Sequence, residues 1–437
     1  MPSRSASELP LLPLRTRVAV GVGAATSALS RRLGRGAGSI IGGRAVVAVD
    51  PHALEHLTAG RTVVLVSGTN GKTTTTKLLA AAASTAGPVV ANLEGANLLP
   101  ALAGALAGAD PAATAVLEVD EAWLPKGMDA VGPAVVVLLN LSRDQLDRNN
   151  EVRRLAGGWR TALARHPDAR VVANCDDPIV AWAAGPPSPV PAAASPAGAA
   201  PAGAAPARVT WVAAGQPWVS DATGCPSCGS RLLFSGEKGW ACTNCDLRRP
   251  EPDVWLEGDD LVTGGERRTL QLSLPGRANR ADAAMALTAA ELLGARSESA
   301  LNAVRAVADV GGRYRVVSLE GVTFRMLLAK NPAGWLEVLD MLEPPPRPVV
   351  VAINARIADG KDPSWLWDVP FESLRGRTVV AAGERASDLA VRLRYADVNH
   401  RREPDMLAAI AAAGSDQVEF VGNYTAFQDL RRALERR

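Results

Sequence analysis

Two features of membrane and exported proteins are missing from this sequence. It has no run of about eighteen or more apolar residues, which is the length that a membrane-spanning helix requires. Its N-terminus also lacks a charged start followed by an apolar stretch and a small-residue cleavage site, which is the pattern of a secretory leader. These absences predict a cytoplasmic protein.

A strong excess of charge is absent too. The formal net charge is +2 at pH 7, and the basic residues, mostly arginine, are scattered along the chain. Nucleic acid is therefore not an expected partner. Residues 1–45 are a local exception, because arginines such as Arg15, Arg17 and Arg31 stand among Val, Ala and Leu. We expect a basic helix there, which either packs on the protein or lies on the inner surface of the membrane.

Cysteine is scarce, with 5 in 437 residues, so a disulfide framework is not expected. All but one belong to two Cys-x-x-Cys pairs, Cys225 with Cys228 and Cys242 with Cys245. Thiolates with this spacing predict tetrahedral Zn²⁺, and the zinc should be structural because no coordination position remains for water or substrate. Two redox dithiols are the alternative, and we expect Cys175 to be inert core.

The length exceeds what one hydrophobic core supports, so two or three domains are expected. Short β-branched runs alternate with Ala/Leu-rich helical patterns, which predicts an α/β domain with a parallel sheet over residues 46–315. Within it, 185–207 has the composition of an Ala/Pro linker, 222–249 is predicted to form an inserted zinc ribbon, and Leu270–Leu274 is a predicted strand. Residues 316–437 are predicted to form a smaller α/β domain.

A phosphate-binding loop is the strongest functional signal. It lies between a predicted strand and a helical stretch, and it consists of Gly68, Thr69, Asn70, Gly71, Lys72, Thr73 and Thr74. Glycines let backbone N–H groups approach phosphate, and a helix N-terminus favours negative charge. We expect Lys72 to reach the outer phosphates of ATP and the Thr73 hydroxyl to ligate Mg²⁺. The first two glycines are closer together than in the general pattern, so an ordinary glycine turn is the alternative.

A second group of candidate side chains follows the predicted strand at residues 115–119. The segment Leu117–Glu121 carries carboxylates at the sheet edge where α/β proteins bind ligands. We therefore expect Glu118 to hold the magnesium. Solvated charges after a strand are the alternative.

The run Ser67–Thr74 resembles the ATP loop of Mur ligases, which couple carboxylates to amines through acyl phosphates. The resemblance implies further nucleotide contacts from Asn279, in a Gly-x-x-Asn pattern that opens a helix beside the adenine, and from Arg313. Lys330 falls where Mur ligases enter their C-terminal domain. It either helps to hold the acyl phosphate or belongs to a plain Asn-Pro turn.

Two departures from the usual pattern of that family reduce the number of candidate reactions. Gln145 stands where a metal-binding histidine is expected, and no lysine occurs between Lys126 and Lys238. Amino-acid-adding Mur ligases commonly carry a carbamylated lysine in that part of the chain. The sequence therefore argues against an ordinary amino-acid-adding ligase.

The inserted ribbon and the segments Asn92–Asn97, Arg143–Arg148 and Asp359–Asp368 resemble the MurT branch of the family. That resemblance implies ATP-dependent amidation of the α-carboxylate of D-glutamate in the lipid II stem peptide. It also implies a partner subunit, a glutaminase of the GatD type that supplies ammonia from glutamine.

The same resemblance implies that Asp362 completes the Cys-His pair of that partner, orienting its histidine as the third member of a triad. Asp359 and Asp368 are alternatives in the same polar loop. Trp365 and Trp367 either anchor an interface or pack into their own domain.

Two other functions fit parts of the sequence. A folylpolyglutamate synthetase-like ligase shares the ATP loop and the α/β core, but it has no evident use for the zinc ribbon or for Asp359–Asp368. A nucleotide-dependent adaptor that ligates nothing would use the loop and the ribbon for binding alone.

Overall fold

The computed structural model describes residues 11–32, 39–93, 96–143, 152–185, 209–215, 217–236, 239–308 and 314–436. These residues fall into two compact units. The central unit holds the described residues up to 141, those of 152–273 and those of 279–308. The C-terminal unit holds 142–143, 274–278 and 314–436. Apart from Gly185, the predicted Ala/Pro linker lies outside the described residues.

Three helices come first: α1 (Leu14–Arg32), α2 (Ser39–Val49) and α3 (Ala53–Thr58). α1 and α2 approach each other closely, because a side chain at Gly23 of α1 would collide with Val46 of α2. The Thr16 hydroxyl donates a hydrogen bond of 2.7 Å to the buried Asp50 carboxylate and thereby ties α1 to the segment after α2. Among the described helices, none has the length and apolar character needed to cross a membrane.

Among the described residues in the rest of the central unit, strands and helices alternate at first, and six strands then follow before the last two helices. The strands are β1 (Val63–Ser67), β2 (Val89–Ala91), β3 (Thr114–Glu118), β4 (Val135–Leu138), β5 (Arg170–Asn174), β6 (Val209–Ala213), β7 (Leu232–Phe234), β8 (Trp240–Cys242), β9 (Val254–Glu257), β10 (Asp260–Thr263) and β11 (Glu266–Thr269). The helices are α4 (Lys72–Ala83), α5 (Leu99–Leu106), α6 (Leu124–Val131), α7 (Val152–Arg165), α8 (Pro178–Ala184), α9 (Arg277–Leu292) and α10 (Ser297–Arg305). A nine-stranded sheet runs in the order β11-β10-β9-β6-β5-β4-β1-β3-β2. Its strands pair in parallel from β2 to β9, and β10 and β11 continue it as antiparallel strands.

β1 lies inside this sheet, and all of its residues are buried. A parallel strand that is covered on both faces needs a continuous apolar run instead of an alternating one, which the sequence Val-Val-Leu-Val supplies. β1 has β3 and β4 as parallel neighbours. The carboxyl ends of the three strands therefore meet at one edge of the sheet, and the loop after β1 lies there.

The strand predicted at Leu270–Leu274 is wrong. The last strand before this segment is β11, and the Leu270 N–H donates to the Asp259 carbonyl outside the ladder. Gln271 then takes a φ of 48°, which ends the extended conformation. Leu270 and Leu274 are buried, so their apolar spacing comes from a loop that packs on the protein.

The C-terminal unit has a six-stranded sheet. Its strands are β12 (Tyr314–Leu319), β13 (Val322–Leu328), β14 (Val349–Ala352), β15 (Val379–Ala382), β16 (His400–Arg402) and β17 (Gln417–Gly422), and its helices are α11 (Pro332–Asp340), α12 (Ala386–Tyr395), α13 (Met406–Ala412) and α14 (Tyr424–Glu435). The order is β12-β13-β17-β14-β15-β16, with only β12 antiparallel to its neighbour. Alternating residues of β14 belong to two apolar clusters, one around Trp335 and Phe371 and the other around Phe420 and Phe427, so both faces of the sheet are covered.

A buried ion pair joins two strands of this sheet. Glu419 of β17 is fully buried, and Arg325 of β13 donates to both of its carboxylate oxygens, at 2.9 Å from Nε and 2.8 Å from Nη2. Arg347 adds a third contact at 3.4 Å. Removing the carboxylate leaves Arg325, whose side chain is 14% exposed, with only the half-exposed Glu343 as an acidic partner, and this loss costs more than the pair itself contributes.

Glu419→Ala is therefore expected to lower the free energy of unfolding by about 3–5 kcal/mol. Glu435→Ala is the matched control, because its i,i+4 pair with Arg431 is exposed and contributes about 0.3–0.5 kcal/mol. Denaturant titration of both variants measures the difference. Equal losses in the two variants would show that the buried pair is not a special source of stability.

Candidate functional site

The loop between β1 and α4 has the backbone conformation that a phosphate cradle requires. Gly68 and Gly71 both take positive φ angles, of 153° and 85°, which residues with side chains rarely adopt. α4 begins at Lys72, directly after Gly71, so the loop delivers the N-terminus of this helix to the edge of the sheet. Backbone N–H groups at such an end are without partners inside the helix and favour an anion.

Lys72 is the buried cation of the loop. Its ammonium group donates to the Gly68 carbonyl, to the Thr69 carbonyl at 3.1 Å and to the Glu121 carboxylate at 3.0 Å. Glu121 is buried as well, so the pair is well shielded from water. The side chain therefore lies back across the loop, with its charge held beside the backbone that would face phosphate.

Thr73 and Glu118 are in direct contact. The Thr73 hydroxyl donates to Glu118 Oε2 at 2.8 Å, and Asn97 Nδ2 approaches the other carboxylate oxygen at 3.4 Å. Asn92 holds the backbone of Glu118, the last residue of β3. Its side-chain amide accepts from the Glu118 N–H at 2.7 Å and donates to the Glu118 carbonyl at 2.9 Å. Hydroxyl and carboxylate oxygens are the hard ligands that Mg²⁺ prefers, so this pair fits a magnesium ion.

Asn140, which follows β4, holds the front of the loop. Its carbonyl accepts from the Thr69 N–H at 2.9 Å, and its side chain exchanges hydrogen bonds with the Asn70 backbone at 2.9 and 3.1 Å. The next residue, Leu141, donates its N–H to the Asp177 carboxylate at 2.8 Å. Burial raises the pKa of Asp177 to about 6, and hydrogen bonds from three backbone N–H groups oppose part of this rise.

The start of α9 lies beside the same loop. A side chain at Gly71 would collide with the Asp282 carboxylate, so Asp282 is in van der Waals contact with the loop backbone. Asn279 stands three residues earlier on the same side of α9. Of the other residues that the resemblance implied, Arg313 and Gln145 lie outside the described residues.

The paired cysteines converge. The sulfur atoms of Cys225, Cys228, Cys242 and Cys245 all lie within 4.8 Å of one another. Cys225 and Cys245 are 3.6 Å apart, and Cys228 and Cys242 are 3.5 Å apart. Tetrahedral zinc with bonds of about 2.3 Å requires sulfur separations of about 3.8 Å, so the cluster fits Zn²⁺ with four thiolate ligands.

The cysteine-bearing ribbon is anchored to the loop after β5. Trp240 of β8 is buried and donates its indole N–H to the Cys175 carbonyl at 3.0 Å. Arg249 pairs with Asp176 at 2.6 Å. Cys175 is fully buried, and burial raises the pKa of its thiol to about 12, so it behaves as core.

The C-terminal unit places the three candidate aspartates differently. Asp359 is buried and accepts from the backbone N–H of Thr425 at 2.9 Å. Asp368 pairs with Arg143 at 3.6 Å. Asp362 is exposed and caps the 3₁₀ helix Pro363–Trp367, since its carboxylate accepts from the Ser364 N–H at 2.8 Å.

The two candidate tryptophans of that helix have different roles. Trp365 is buried and stacks on Trp335, with 6.1 Å between ring centroids. Trp367 is 55% exposed and meets the ring of Tyr395 edge-on. Lys330 is exposed, and the Asn-Pro pair after it starts helix α11 instead of a plain turn, with Asn331 as the capping residue.

Glu121, Asn140, Asp177 and Asp282 were given no individual role by the sequence analysis. Glu121 could have been found as the second carboxylate of Leu117–Glu121, but nothing local marks it as the partner of Lys72. Asn140, Asp177 and Asp282 make contacts with residues that are 36 to more than 200 positions away in the sequence. Local sequence patterns do not predict such contacts.

Comparison with known proteins relates both parts of the chain to one family. Residues 66–192 match the model of the Mur ligase middle domain, and residues 328–427 match the model of the MurT ligase C-terminal domain. The chain is 28% identical to the lipid II isoglutaminyl synthase (glutamine-hydrolyzing) subunit MurT of Streptococcus pneumoniae, over 97% of this chain and 98% of the relative.

Solved structures show the same fold. A pseudomurein peptide ligase type C from Methanothermus fervidus superposes with a TM-score of 0.66 at 18% identity, covering 86% of this chain and 79% of the other. MurF from Thermotoga maritima, solved in complex with ADP, gives a TM-score of 0.58 at 16% identity, covering 89% and 83%. The expected α/β Mur ligase fold is confirmed, and the chain belongs to the Mur ligase family as a homologue of its MurT subunits.

Proposed function

We propose that this protein uses ATP to activate the α-carboxylate of D-glutamate in the stem peptide of lipid II and amidates it to D-isoglutamine. The observation that carries this proposal is the loop at 68–74, where Lys72 lies over the backbone and Thr73 contacts Glu118. Similarity to a MurT subunit over nearly the whole chain supports the choice of substrate. The reaction belongs to peptidoglycan biosynthesis, at the inner face of the membrane where lipid II is made.

The chemistry has two steps. The γ-phosphoryl group passes from ATP to a carboxylate oxygen, which gives ADP and an acyl phosphate. Ammonia then attacks the carbonyl carbon, phosphate leaves, and the nitrogen loses a proton to give the amide. Each step develops charge on phosphate oxygens, so fixed donors in the site lower its barrier.

The residues of the loop and of the strand end beside it have different roles in this reaction. The backbone N–H groups at the start of α4 hold the phosphates, and Lys72 swings from the loop carbonyls and Glu121 towards the transferred phosphoryl group. Thr73 and Glu118 would hold Mg²⁺, which offsets the negative charge of the phosphates. Asn279 and Arg313 are assigned to the adenosine and phosphate portions of the nucleotide.

Ammonia comes from a partner subunit, a glutaminase of the GatD type, which contacts the C-terminal unit. Asp362 completes the Cys-His pair of that partner. Two observations favour Asp362 over its neighbours: Asp359 is buried against Thr425, and Asp368 is paired with Arg143. Asp362 is exposed, and its cap bond to Ser364 holds the carboxylate in a defined position at the surface.

Folate is a weaker candidate substrate than lipid II, because the match to the MurT C-terminal domain covers the segment Asp359–Asp368. A binding role without catalysis is disfavoured by the similarity over nearly the whole chain to a relative that is named as a synthase subunit. Zn²⁺ held by Cys225, Cys228, Cys242 and Cys245 has a structural role, because four protein ligands leave no position for substrate.

Lys72→Ala is expected to lower the amidation rate about 100-fold or more, because it removes a preorganised cation from the phosphoryl group. The assay combines the complex with ATP, glutamine and lipid II, and mass spectrometry detects conversion of the acid to the amide. Lys126→Ala is the control, since Lys126 is exposed and lies over Trp123. Unchanged amidation in Lys72→Ala would refute the proposal.

Asp362→Asn is expected to abolish glutamine-dependent amidation, with glutaminase activity reduced about 100-fold or more, while ammonium chloride still supports the reaction. Asparagine preserves the helix cap, so folding is not the cause. Asp416→Asn provides an exposed aspartate on the same unit as control. Full glutaminase activity in Asp362→Asn contradicts the assignment.

Replacing Cys242 and Cys245 by serine is expected to remove about one zinc per chain, measured by plasma mass spectrometry of the purified protein. Cys175→Ala should keep the metal, because Cys175 is core and not a ligand. If the purified wild type contains no zinc and instead shows reversible oxidation of the four cysteines, the redox-dithiol interpretation is correct.

A further inference from the structure

The exposed face of α1 carries an apolar stripe, defined here as Leu14, Val18, Val22 and Leu29. Their exposed fractions are 74%, 52%, 40% and 57%. At 3.6 residues per turn these positions fall within an arc of about 80° on one side of the helix. Leu11, which is 96% exposed, stands in the segment just before the helix. Single exposed apolar residues are common on soluble proteins, but a continuous stripe of large ones marks an interaction surface.

The opposite face of α1 is built from small and polar residues. Thr16, Ala19, Gly23 and Ser30 are buried there. Gly23 sits so close to α2 that a side chain would collide with Val46. The helix is thus inverted relative to an ordinary surface helix, which buries its large apolar side chains and exposes polar ones.

This orientation is fixed by the contacts of α1 with its neighbours. The Thr16 hydroxyl contacts both the buried Asp50 carboxylate, at 2.7 Å, and His56 Nδ1, at 2.8 Å. Arg15 donates to the Val49 carbonyl at 2.8 Å. Rotating α1 to bury the stripe would break these bonds and push large side chains into the space now occupied by Gly23.

The charge along the segment that carries the stripe has one sign. From Leu9 to Val49 the sequence contains no Asp or Glu but contains Arg15, Arg17, Arg31, Arg32, Arg35 and Arg44. The chain as a whole has a net charge of only +2, so this concentration is local. Arg17 flanks the stripe on one side, and Arg32 continues it at the end of the helix. Arg15 lies on the other side, where its Nε already donates to the Val49 carbonyl.

We infer that α1 lies in the surface of an anionic phospholipid bilayer, with the apolar stripe among the acyl chains and the flanking arginines on the lipid phosphates. This inference rests on the proposed function only in that a lipid-anchored substrate gives the docking a purpose. A second copy of the chain is a poor occupant, because pairing two stripes would bring together arginines with no acidic residue to offset them.

Vesicle flotation tests the docking directly. The full chain, alone and with its glutaminase subunit, is mixed with vesicles of equal parts phosphatidylcholine and phosphatidylglycerol, or of phosphatidylcholine alone, without ATP or glutamine. The wild type should float with the anionic vesicles, and binding should weaken in high salt. Absence of binding to the anionic vesicles overturns the inference.

Two variants separate the apolar and the charge contributions. Leu14→Gln combined with Val18→Gln and Val22→Gln keeps good helix formers and should reduce vesicle partitioning about tenfold or more. Arg17→Gln combined with Arg32→Gln should reduce it about fivefold for each arginine. The control is Val316→Gln with Val391→Gln, which replaces valines that are 52% and 51% exposed in the C-terminal unit.

Other occupants of the stripe predict different results. If the triple variant floats as well as the wild type but loses self-association or its glutaminase subunit, the stripe is a protein interface and the inference is wrong. Failure of the proposed function is seen separately, because Lys72→Ala should float normally while lacking amidation. The triple variant should still amidate short-chain lipid II in detergent micelles.

Discussion

The site depends above all on the hydrogen bonds that hold the loop after β1 against the ends of the neighbouring strands. Thr69 and Asn70 are both bound by Asn140, and the Ser67 hydroxyl donates to the Val119 carbonyl at 2.9 Å. A short loop with two glycines is flexible by itself, and ordering its backbone costs conformational entropy. The parallel sheet supplies the fixed strand ends that offset this cost and make the amides of the loop converge.

A chain of contacts leads from the cysteine cluster to the same loop. Trp240, at the base of the ribbon, binds the Cys175 carbonyl, and two residues later Asp177 accepts the N–H of Leu141. Leu141 follows Asn140, which holds the loop. The metal proposed for the ribbon would therefore stabilise the strand ends around the proposed nucleotide site without taking part in the chemistry.

Each part of the molecule shows a different departure from the ordinary rules of folding. The loop adopts backbone conformations that favour glycine, the C-terminal unit leaves Trp367 half-exposed in the segment that Asp362 caps, and α1 turns its large apolar residues outward. Such departures are expected at functional sites, because a residue that is used for binding or catalysis is not free to serve stability. The proposed nucleotide, partner and membrane contacts correspond to these three places.

The sequence by itself determined the phosphate loop, the cysteine quartet and the α/β class. Glycine spacing, cysteine spacing and apolar periodicity are local properties, and they remain the same wherever the segment lies in the fold. The limit of local patterns is visible at Leu270–Leu274, where apolar spacing predicted a strand and the chain instead forms a buried loop.

Only the tertiary structure decided which side chains meet. The pairing of Lys72 with Glu121 and the hold of Asn140 on the loop join segments that are far apart in sequence, so no local pattern encodes them. The direction in which α1 turns its apolar stripe was also undecided, since the pattern of an amphipathic helix is the same whichever face is buried. Close packing of Gly23 against α2 settled it, because only a face of small residues fits that space.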